Sequence, residues 1–539
     1  MVKALDKPLY KKITPGVGSL ALISDDGLGT AEQLAELLRK YGWKAIILRF
    51  PSIKTRTSEK SAQGMVYINI EDTEEHQFKQ TIDGISEKYG HIGLFIYLHF
   101  QYQIENRSTY FIEEEKAAVK KVFFMCKYIY KHLNKSAQKG FAAFIAVTRL
   151  DGELGYTGGV DYGVVGGGLF GLVKTLDKEW ENIICRAIDI SPDIKPQEVA
   201  KCILDELGDP DIGINEVAYG PLGRIQLVCE DYLDFRKGRS KNQINDKTVF
   251  LVSGGGKGIT AKCITGLAKK YGSTFILFGR SPLLESEPEW ARNCYKEAEL
   301  KERIVRWMST RGEKPTLLKI QDAFSQVVST RAIKNTMHEI EAVGGKCDYI
   351  ALDIGDIDDL ARKLQPVITK HGKIHGIIHG AGVLADKLIE KKSESDYDRV
   401  YGTKAGGLEN LIRTVPNNDL DFLILFSSTA GFSGNVGQSD YAIANEILNK
   451  FSYKFKREHP LCHVVSINWG PWDGGMVTPE LKKNFEMRNI PLIPIESGVQ
   501  LFVEHVEYSN NSDVQIVIGA PFKDSKKSQE DKRVSGLLS

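Results

Sequence analysis

Two hydrophobic patterns alternate along this chain: short runs of consecutive apolar residues, and longer segments in which an apolar residue recurs at every third or fourth position. Residues 19 to 50 contain an apolar run, a glycine-containing turn, an amphipathic segment and a second apolar run. Consecutive apolar residues are typical of strands covered on both faces of a parallel sheet, and the longer spacing is typical of helices. Similar runs follow at 92–98 and 141–147. The pattern predicts an α/β protein with a doubly wound parallel sheet.

The pattern of the first half begins again at Thr248. When the halves are aligned, Ser24 falls on Ser253 and Gly29 falls on Gly258 at the same separation along the chain. We therefore predict two tandem Rossmann-like sheets. Chance similarity between two strand–helix–strand units is the alternative.

A charged segment that is poor in apolar residues separates the two halves. This composition predicts a first unit over 1–232, a linker over 233–246 and a second unit over 247–521. An insertion rich in Lys, Glu and Arg at about 282–343 is predicted to be a helical, solvated scaffold or contact surface. The polar tail over 522–539 is interpreted as a further linker, as expected for a segment of a longer polypeptide.

The charge balance and the cysteines disfavour several kinds of partner. Lys and Arg number 71 and Asp and Glu number 70, so the chain has no basic field for nucleic acid. No apolar stretch approaches the roughly 20 residues of a membrane span. The eight cysteines include no CxxC pair and no metal-like cluster. We expect a cytoplasmic protein with no metal, no membrane and no nucleic-acid partner.

A glycine-rich turn lies between a strand and a helix at the start of the second half. In this context it predicts dinucleotide binding, because glycines let the backbone approach a pyrophosphate and the helix amino end offers N–H donors. The turn consists of Ser253, Gly254, Gly255, Gly256, Lys257, Gly258 and Ile259. At the matching turn of the first half, Asp25 and Asp26 would repel a pyrophosphate. The first half is therefore predicted to be a degenerate, structural copy that turns over no substrate.

The ends of the next strands add candidate contacts to the cofactor. Arg280 and Ser281 stand where an acidic residue would bind a ribose 2′-hydroxyl, and a cation there suits a 2′-phosphate, so NADPH is predicted over NADH. An arginine that only caps the strand end is the alternative. Asp353, followed by Ile354, is a candidate acceptor for the adenine amino group. Small residues that would let the nicotinamide ribose pass are Gly380, Ala381 and Gly382.

The apolar strand at 422–426 leads to the candidate catalytic residues. Ser428 follows at its carboxyl end, where open α/β sheets place their ligands. Tyr441 opens the helical segment that comes next, and Asn445, four residues later, shares its face. In the first half Tyr162 aligns with Tyr441, but its neighbours have changed, so we interpret Tyr162 as structural.

The order of these residues resembles that of the ketoreductase domain of a modular polyketide synthase, within the short-chain dehydrogenase/reductase superfamily. An ordinary short-chain dehydrogenase has Lys four residues after the catalytic Tyr, whereas this chain has Asn445 there and Lys404 earlier. Ser428 precedes Tyr441 by thirteen residues, as in that family. The pairing of a degenerate half with a catalytic half is also similar. The insertion after Arg280 is similar to that of ketoreductases from assembly lines whose acyltransferase acts in trans.

The resemblance implies a catalytic set of Lys404, Ser428, Tyr441 and Asn445. A ketone that accepts hydride develops negative charge on oxygen, so Ser428 would donate to that oxygen and Tyr441 would donate and deliver the proton. An ammonium at Lys404 is expected to lower the pKa of Tyr441. By the resemblance, Lys404 and Asn445 also hold the nicotinamide ribose and a proton-relay water.

The resemblance also bears on stereochemistry. Ketoreductases of the B type resemble one another in a Leu-Asp-Asp triplet, and Leu384 and Asp386 keep its first and third positions. The Trp that marks the A type is replaced by Ser433. These features predict a B-type enzyme with a D-configured alcohol product, although Ala385 and Val436 depart from the B-type pattern.

We therefore predict NADPH-dependent reduction of a β-ketoacyl thioester in polyketide biosynthesis. The expected partners are an acyl carrier protein bearing a phosphopantetheine-linked chain and neighbouring synthase domains. The alternatives are a stand-alone short-chain alcohol dehydrogenase, which the exchange of Lys and Asn disfavours, and a non-catalytic nucleotide-binding scaffold of a synthase, which the complete catalytic set disfavours. The segment 467–476, with the helical patch 479–488 after it, is predicted to be either a lid over the substrate or a plain surface loop.

Overall fold

The computed structural model describes most of the chain. The described stretches are residues 1–8, 13–50, 65–70, 75–101, 109–157, 161–230, 240–416, 419–509 and 513–519. Residues 233–239 of the predicted linker and the whole predicted tail at 522–539 lie outside them. Across these stretches, the helices are all too short or too polar to cross a membrane.

The first half forms a nine-stranded sheet with helices on both faces. Its strands are β1 (Val2–Ala4), β2 (Ser19–Ser24), β3 (Lys44–Arg49), β4 (Val66–Asn69), β5 (His91–Leu98), β6 (Ala143–Thr148), β7 (Ile184–Ile190), β8 (Glu216–Gly220) and β9 (Gly223–Leu227). Its helices are α1 (Thr30–Lys40), α2 (Glu75–Tyr89), α3 (Glu113–Ala137), α4 (Gly168–Glu179) and α5 (Pro196–Gly208). The strand order is β1-β9-β8-β7-β6-β5-β2-β3-β4. The strands from β4 to β8 are parallel, and β9 and β1 add an antiparallel edge.

The second half forms a seven-stranded parallel sheet and a two-stranded ribbon. Its strands are β10 (Ser240–Lys241), β11 (Val249–Ser253), β12 (Thr274–Gly279), β13 (Lys346–Ala351), β14 (Gly376–His379), β15 (Phe422–Ser428), β16 (His463–Trp469), β17 (Tyr508–Ser509) and β18 (Gln515–Ile518). Its helices are α6 (Gly258–Tyr271), α7 (Glu297–Thr310), α8 (Leu317–Ala342), α9 (Ile357–His371), α10 (Glu394–Tyr401), α11 (Gly407–Thr414), α12 (Thr429–Ser433), α13 (Ser439–Glu458), α14 (Pro479–Met487) and α15 (Ile495–Glu507). The order of the large sheet is β13-β12-β11-β14-β15-β16-β18. A π-helical turn, Gly402–Gly406, joins α10 to α11.

The two large sheets share one topology. In each, the first strand of the repeat, β2 or β11, lies near the middle, the next two strands extend to one side and the later strands extend to the other. This match confirms the predicted α/β class with two Rossmann-like sheets. In the second sheet, the strand order reverses between the neighbouring strands β11 and β14. Ligands bind at such a point in open α/β sheets.

Helix α4 of the first half packs directly against α13 of the second half. Glycine allows the close approach, because a Cβ at Gly171 would lie 2.3 Å from the carbonyl oxygen of Ala442. Buried charges are paired at the same place, with the Lys174 ammonium 2.8 Å from the Glu216 carboxylate. One hydrophobic cluster contains residues of both halves. The halves are therefore joined through their cores rather than only by the linker.

Two segments predicted to be non-catalytic have regular structure. The end of the predicted linker forms β10, which pairs antiparallel with β17. The insertion forms α7 and α8, and the two helices pack against each other. They enclose a small apolar core of Ala291, Cys294, Leu300, Ile304, Met308 and Val327. The insertion therefore has a core of its own.

Candidate active site

A cavity of about 840 Å³ lies at the carboxyl ends of β11, β12, β14 and β15. Its position is the crevice expected for a ligand of an open α/β sheet. Most residues proposed from the sequence line it: Ser253, Gly254, Gly256, Lys257, Gly258, Ile259, Arg280, Ser281, Ile354, Gly380, Ala381, Gly382, Leu384, Asp386, Lys404, Ser428 and Tyr441. The exceptions are Gly255, Asp353 and Asn445, which are described below.

The glycine-rich turn forms the floor of the cavity at the amino end of α6. Gly254 has φ of 69°, a conformation that glycine adopts without strain, and a Cβ there would lie 2.8 Å from the backbone nitrogen of Ala381. Gly258 has φ of 74° and begins α6. Gly255 faces the opposite way, since its Cβ would meet Val252 in the sheet core. Gly254 and Gly258 are therefore required by the backbone next to the cavity, whereas Gly255 is required by packing.

Two cations meet at the end of β12. Arg280 lines the cavity, and burial, together with the charge of Arg280, lowers the pKa of Lys257. The Lys257 ammonium donates to the hydroxyl of Ser329 at 2.8 Å. Ser329 belongs to α8, the second helix of the insertion. Ile333 of the same helix lines the cavity, so the insertion contributes to the wall of the site. No sequence signal pointed to this contact, because it depends on how α8 packs against α6.

At the end of β13, Asp353 lies outside the residues that line the cavity. The cavity is walled by Leu352 and Ile354. The carboxylate of Asp353, between them, accepts a hydrogen bond from the backbone nitrogen of Gly355 at 2.9 Å. Asp353 therefore stabilises its own turn, and the two apolar neighbours form the wall.

A buried histidine, His379, connects the glycine-rich turn to the segment that carries Lys404. The Ser253 hydroxyl lies 2.7 Å from Nδ1 of His379, and Nε2 of His379 lies 2.9 Å from the carbonyl oxygen of Lys404. Burial, with the charge of Lys404, lowers the pKa of His379 to about 3. The neutral ring can therefore donate from Nε2 to the carbonyl and accept from Ser253 at Nδ1. Sequence analysis missed His379, because it ends an apolar strand and resembles a core residue.

Lys404 lies on the π-helical turn, a feature that often occurs at functional sites. Its ammonium donates to the carbonyl oxygens of Phe426 at 2.8 Å and of Ala381 at 3.2 Å. Burial lowers its pKa to about 7. The nitrogen lies 5.7 Å from the ring centre of Tyr441. The lysine is thus held by backbone carbonyls beside the tyrosine.

Tyr441 lies in the first turn of α13 and lines the cavity. Burial raises its pKa to about 12, and hydrogen bonds from the Asn445 and Ser428 side chains oppose that shift. The net shift is therefore opposite to the lowered pKa expected from the sequence, because burial dominates and the negative charge of Asp386 raises the pKa further. The phenol keeps its proton at neutral pH.

Asn445 and Ser428 are each fixed by one backbone contact. The Asn445 amide donates to the carbonyl oxygen of Tyr441 at 2.7 Å. Its Oδ1 is buried and has no hydrogen-bond partner among the described residues. The Ser428 hydroxyl accepts from the backbone nitrogen of Ala430 at 3.1 Å and caps α12. Ser428 and Asn445 are therefore positioned around the phenol of Tyr441, and Asn445 retains an unused acceptor.

The residues proposed for stereocontrol lie on two neighbouring loops. Leu384 and Asp386 line the cavity on one loop, and Val436 lines it on the other. The Asp386 carboxylate accepts from the Gln438 amide at 3.0 Å, which links the loops. The hydroxyl of Ser433 donates to the carbonyl oxygen of Thr429 at 2.8 Å, within α12.

The glycine-rich segment after β16 and helix α14 cover the open side of the cavity. Met476, Leu481 and Phe485 line it, and no residue of α14 is buried. Gly474 and Gly475 precede the helix with φ of 150° and 66°. This arrangement favours the lid interpretation over a plain surface loop.

The matching position of the first half is filled by the protein itself. The Asp26 carboxylate accepts from the backbone nitrogens of Leu28 at 3.1 Å and Thr30 at 3.3 Å, at the amino end of α1. A pyrophosphate would need these donors. Tyr162 is buried, and its hydroxyl donates to the carbonyl oxygen of Gly155 at 2.9 Å, as a structural residue would.

Comparison with known proteins identifies the domain. The family model for the ketoreductase (KR) domain matches residues 248–474. One of the subunits of the polyunsaturated fatty acid synthase of a Thraustochytrium species is 34% identical over 511 residues, which cover 92% of this chain and 18% of that protein. Polyketide synthase PksN of Bacillus subtilis is 27% identical over 367 residues, which cover 65% of this chain and 6% of that protein. The chain thus spans less than a fifth of the length of these relatives.

Solved structures share the fold. An N-terminal ketoreductase from the macrolactin assembly line superposes with a TM-score of 0.67 at 18% identity, over 100% of this chain and 92% of that one. A ketoreductase domain from the bacillaene assembly line gives a TM-score of 0.60 at 17% identity, over 98% of this chain and 97% of that one.

The match to the family model indicates the reaction class. Domains of this kind are oxidoreductases that act on a keto group of an acyl chain and bind a nicotinamide cofactor. The cavity of this chain has the glycine-rich floor that such a cofactor requires. Residues 248–474 therefore belong to the ketoreductase domain family, and the chain is similar to segments of polyketide and polyunsaturated fatty acid synthases.

Proposed function

We propose that this chain uses NADPH to reduce a β-ketoacyl thioester, carried on the phosphopantetheine of an acyl carrier protein, to the D-β-hydroxyacyl thioester. The main observation behind the proposal is that Ser428, Tyr441 and Lys404 line one cavity. Arg280 and Lys257 line the same cavity next to the glycine-rich turn.

The donors fit a developing oxyanion. Reduction places negative charge on the keto oxygen, and the two hydroxyl-bearing side chains, Ser428 and Tyr441, line the same cavity. A carbonyl oxygen between them would receive both hydrogen bonds. The hydride to the keto carbon would come from NADPH when it is bound. Tyr441 then transfers its proton to the oxygen.

The raised pKa of Tyr441 suits this direction of reaction. With a pKa of about 12, the phenol carries its proton at neutral pH and can act as a general acid. After transfer the phenolate must be reprotonated. The unpartnered Oδ1 of Asn445 is an acceptor for a water, and the ammonium of Lys404, 5.7 Å from the centre of the Tyr441 ring, is a donor. We propose that they hold the relay water and the nicotinamide ribose.

The cradle for the cofactor depends on small residues. A Cβ at Gly382 would lie 3.1 Å from Cε of Lys404, so a larger residue would fill the space beside Lys404 and Tyr441. At the other end, Arg280 offers a planar set of donors and Lys257 a second positive charge. Two cations favour a 2′-phosphate over a free 2′-hydroxyl, and this supports NADPH.

A B-type product is supported by the walls next to Tyr441. Leu384 and Asp386 line the cavity there, and Ser433 is directed into α12 rather than toward the substrate. We propose that the loop with Leu384 guides the acyl chain and fixes which face of the ketone meets the cofactor.

A second candidate substrate is a fatty acyl chain. The relative that aligns with 92% of this chain belongs to a polyunsaturated fatty acid synthase. The chemistry at the keto group would be the same, so the two candidates differ only in the acyl chain. Relative kcat/KM values for short methyl-branched and for long linear β-ketoacyl thioesters would distinguish them.

The test is the consumption of NADPH with a β-ketoacyl pantetheine thioester, in wild type, Tyr441→Phe and Ser428→Ala. Each substitution removes one donor to the oxyanion, so kcat should fall by about 100- to 1,000-fold. Tyr295→Phe is the matched control, because Tyr295 is 81% exposed on the insertion. Chiral chromatography of the product reports its configuration.

Three outcomes would contradict the proposal. If wild type binds NADPH and reduces no thioester, the chain is a nucleotide-binding scaffold. If it reduces small ketones and ignores thioesters, it is a dehydrogenase of small alcohols. If Tyr441→Phe retains wild-type kcat, another group supplies the proton.

A further inference from the structure

The non-catalytic half reaches the active site through the end of α4. Gly434 of the catalytic half lies against this helix, where a Cβ would be 2.4 Å from the carbonyl carbon of Lys174. The Thr175 hydroxyl accepts from the backbone nitrogen of Asn435 at 3.4 Å, and the Lys178 ammonium donates to the carbonyl oxygen of Gly434 at 3.4 Å. The loop at 434–438 is therefore seated on α4.

Glu179, the last residue of α4, contacts two separate loops of the catalytic half. One carboxylate oxygen accepts from the backbone nitrogen of Gly437 at 2.8 Å, and the other accepts from the backbone nitrogen of Ile389 at 3.0 Å. Both amides belong to the loops next to the cavity. A single side chain thus bridges the segments 384–389 and 434–438.

The two loops form the wall of the cavity beside Tyr441. The first carries Leu384 and Asp386, and the second carries Val436. They are also joined directly, because the Lys387 backbone nitrogen donates to the carbonyl oxygen of Gly437 at 3.0 Å. A change in their spacing would therefore alter the space available to the acyl chain.

The Glu179 carboxyl is well placed to hold this spacing. Burial raises its pKa to about 7, and the hydrogen bonds from the Ile389 and Gly437 amides oppose that rise. Above that pH the group is an anion, and hydrogen bonds from amides to a charged acceptor are stronger than neutral ones. The first half has lost its own cofactor site, as Asp26 shows. Through Glu179, the first half contacts the two loops at the cavity wall, and it can hold them in place without a catalytic site of its own.

We propose that Glu179 is a positioning residue for the substrate, through which the non-catalytic half controls the affinity for the acyl chain and the configuration of the alcohol. The inference rests on the proposed ketoreductase function. Glu179 touches neither substrate nor cofactor, so it acts through the two loops.

The test compares wild type at about pH 8 with Glu179→Gln and with Glu181→Gln, an exposed residue two positions later. In Glu179→Gln one acceptor becomes an amide donor that faces a backbone N–H, so one loop loses its contact. The expected result is an increase of about tenfold or more in KM for a β-ketoacyl pantetheine thioester and a larger share of the minor enantiomer. The Kd for NADPH should be unchanged, because the glycine-rich turn is not in contact with Glu179. Glu181→Gln should behave as wild type.

The outcomes separate the two proposals. If wild type reduces the thioester and Glu179→Gln gives the same KM and the same enantiomer ratio, the positioning role is overturned while the ketoreductase stands. If wild type reduces no thioester, the proposed function fails and this inference fails with it. The enantiomer ratio does not depend on the concentration of active enzyme. It therefore tests the positioning role of Glu179 even if part of the variant protein is unfolded.

Discussion

The Lys392 ammonium lies 2.5 Å from the Asp440 carboxylate, and both side chains are completely buried. The same carboxylate oxygen accepts from the backbone nitrogen of Tyr441 at 2.8 Å. Lys392 also donates to the carbonyl oxygen of Ala385 at 2.7 Å. The ion pair therefore connects the first turn of α13, which carries the proposed acid, to the loop proposed for stereocontrol.

Breaking this pair should damage both stability and turnover. Lys392→Met would leave the Asp440 carboxylate buried without its cation, a change that typically costs about 3–5 kcal/mol. We expect a lower melting temperature and a kcat reduced by about tenfold or more, because Tyr441 loses its fixed position. Lys391→Met is the control, since Lys391 is exposed. Calorimetry and NADPH consumption measure the two effects.

A double variant tests whether Lys392 and Asp440 stabilise the protein as a pair or independently. Asp440→Asn combined with Lys392→Met removes both charges, so the double variant should melt at a higher temperature than either single variant. Strictly additive losses would show that the two residues act independently.

Arg280 should decide between the two nicotinamide cofactors. Arg280→Ala removes a charge-assisted contact to the 2′-phosphate, and such contacts contribute about 1.5–3 kcal/mol. The KM for NADPH should therefore rise by about 10- to 100-fold, and the KM for NADH should change little. Arg292→Ala, an exposed arginine on the insertion, is the matched control. An equal loss for both cofactors would mean that Arg280 only caps the strand.

The pKa of Tyr441 predicts a flat pH profile for reduction and a rising one for oxidation in the range from about pH 7 to about pH 10. Reduction needs the protonated phenol, which persists far above neutral pH because burial raises the pKa to about 12. Oxidation of the β-hydroxyacyl thioester needs the phenolate, whose fraction increases about tenfold with each unit by which the pH approaches that pKa from below. At saturating NADP⁺, log kcat/KM for oxidation should rise with a slope near one between about pH 7 and about pH 10. A plateau that begins below about pH 8 would instead show that Lys404 or the bound cofactor ionises the phenol.

Each chain should bind one equivalent of NADPH. The Asp26 carboxylate already accepts the amides at the amino end of α1, so a pyrophosphate in the first half would have to displace it. Gly254→Val should abolish binding, because residue 254 has φ of 69° and a Cβ there meets the Ala381 backbone. Isothermal titration measures both. A stoichiometry of two would place a second cofactor in the first half, and binding that survives in Gly254→Val would show that the site does not require glycine at this position.

The fold could be predicted where the sequence pattern is local. The apolar run before Ser428 lies in β15, and the helix that begins near Tyr441 is α13. In both cases neighbouring residues along the chain carry the information, because strand and helix periods are local properties. The repeat of Ser24 at Ser253 predicted two copies of one fold, and the two large sheets share one topology.

The site was less predictable where it depends on distant contacts. Gly255 belongs to the glycine-rich turn, but the course of the backbone directs it toward Val252. His379 and Ser329 reach the site only after folding, through β14 and the insertion. The pKa of Tyr441 was predicted in the wrong direction, because the charge of Lys404 can be read from the sequence and the burial of the phenol cannot.

Helix α13 has one side toward the cavity and another against α4 of the first half. Because the first half occupies that second side, two catalytic halves cannot associate through it. The surface of α4 that packs against α13 belongs to the same polypeptide. Its effective concentration next to α13 therefore does not fall when the protein is diluted. The alignment of Tyr441 should therefore be the same in a dilute solution as in a crowded synthase.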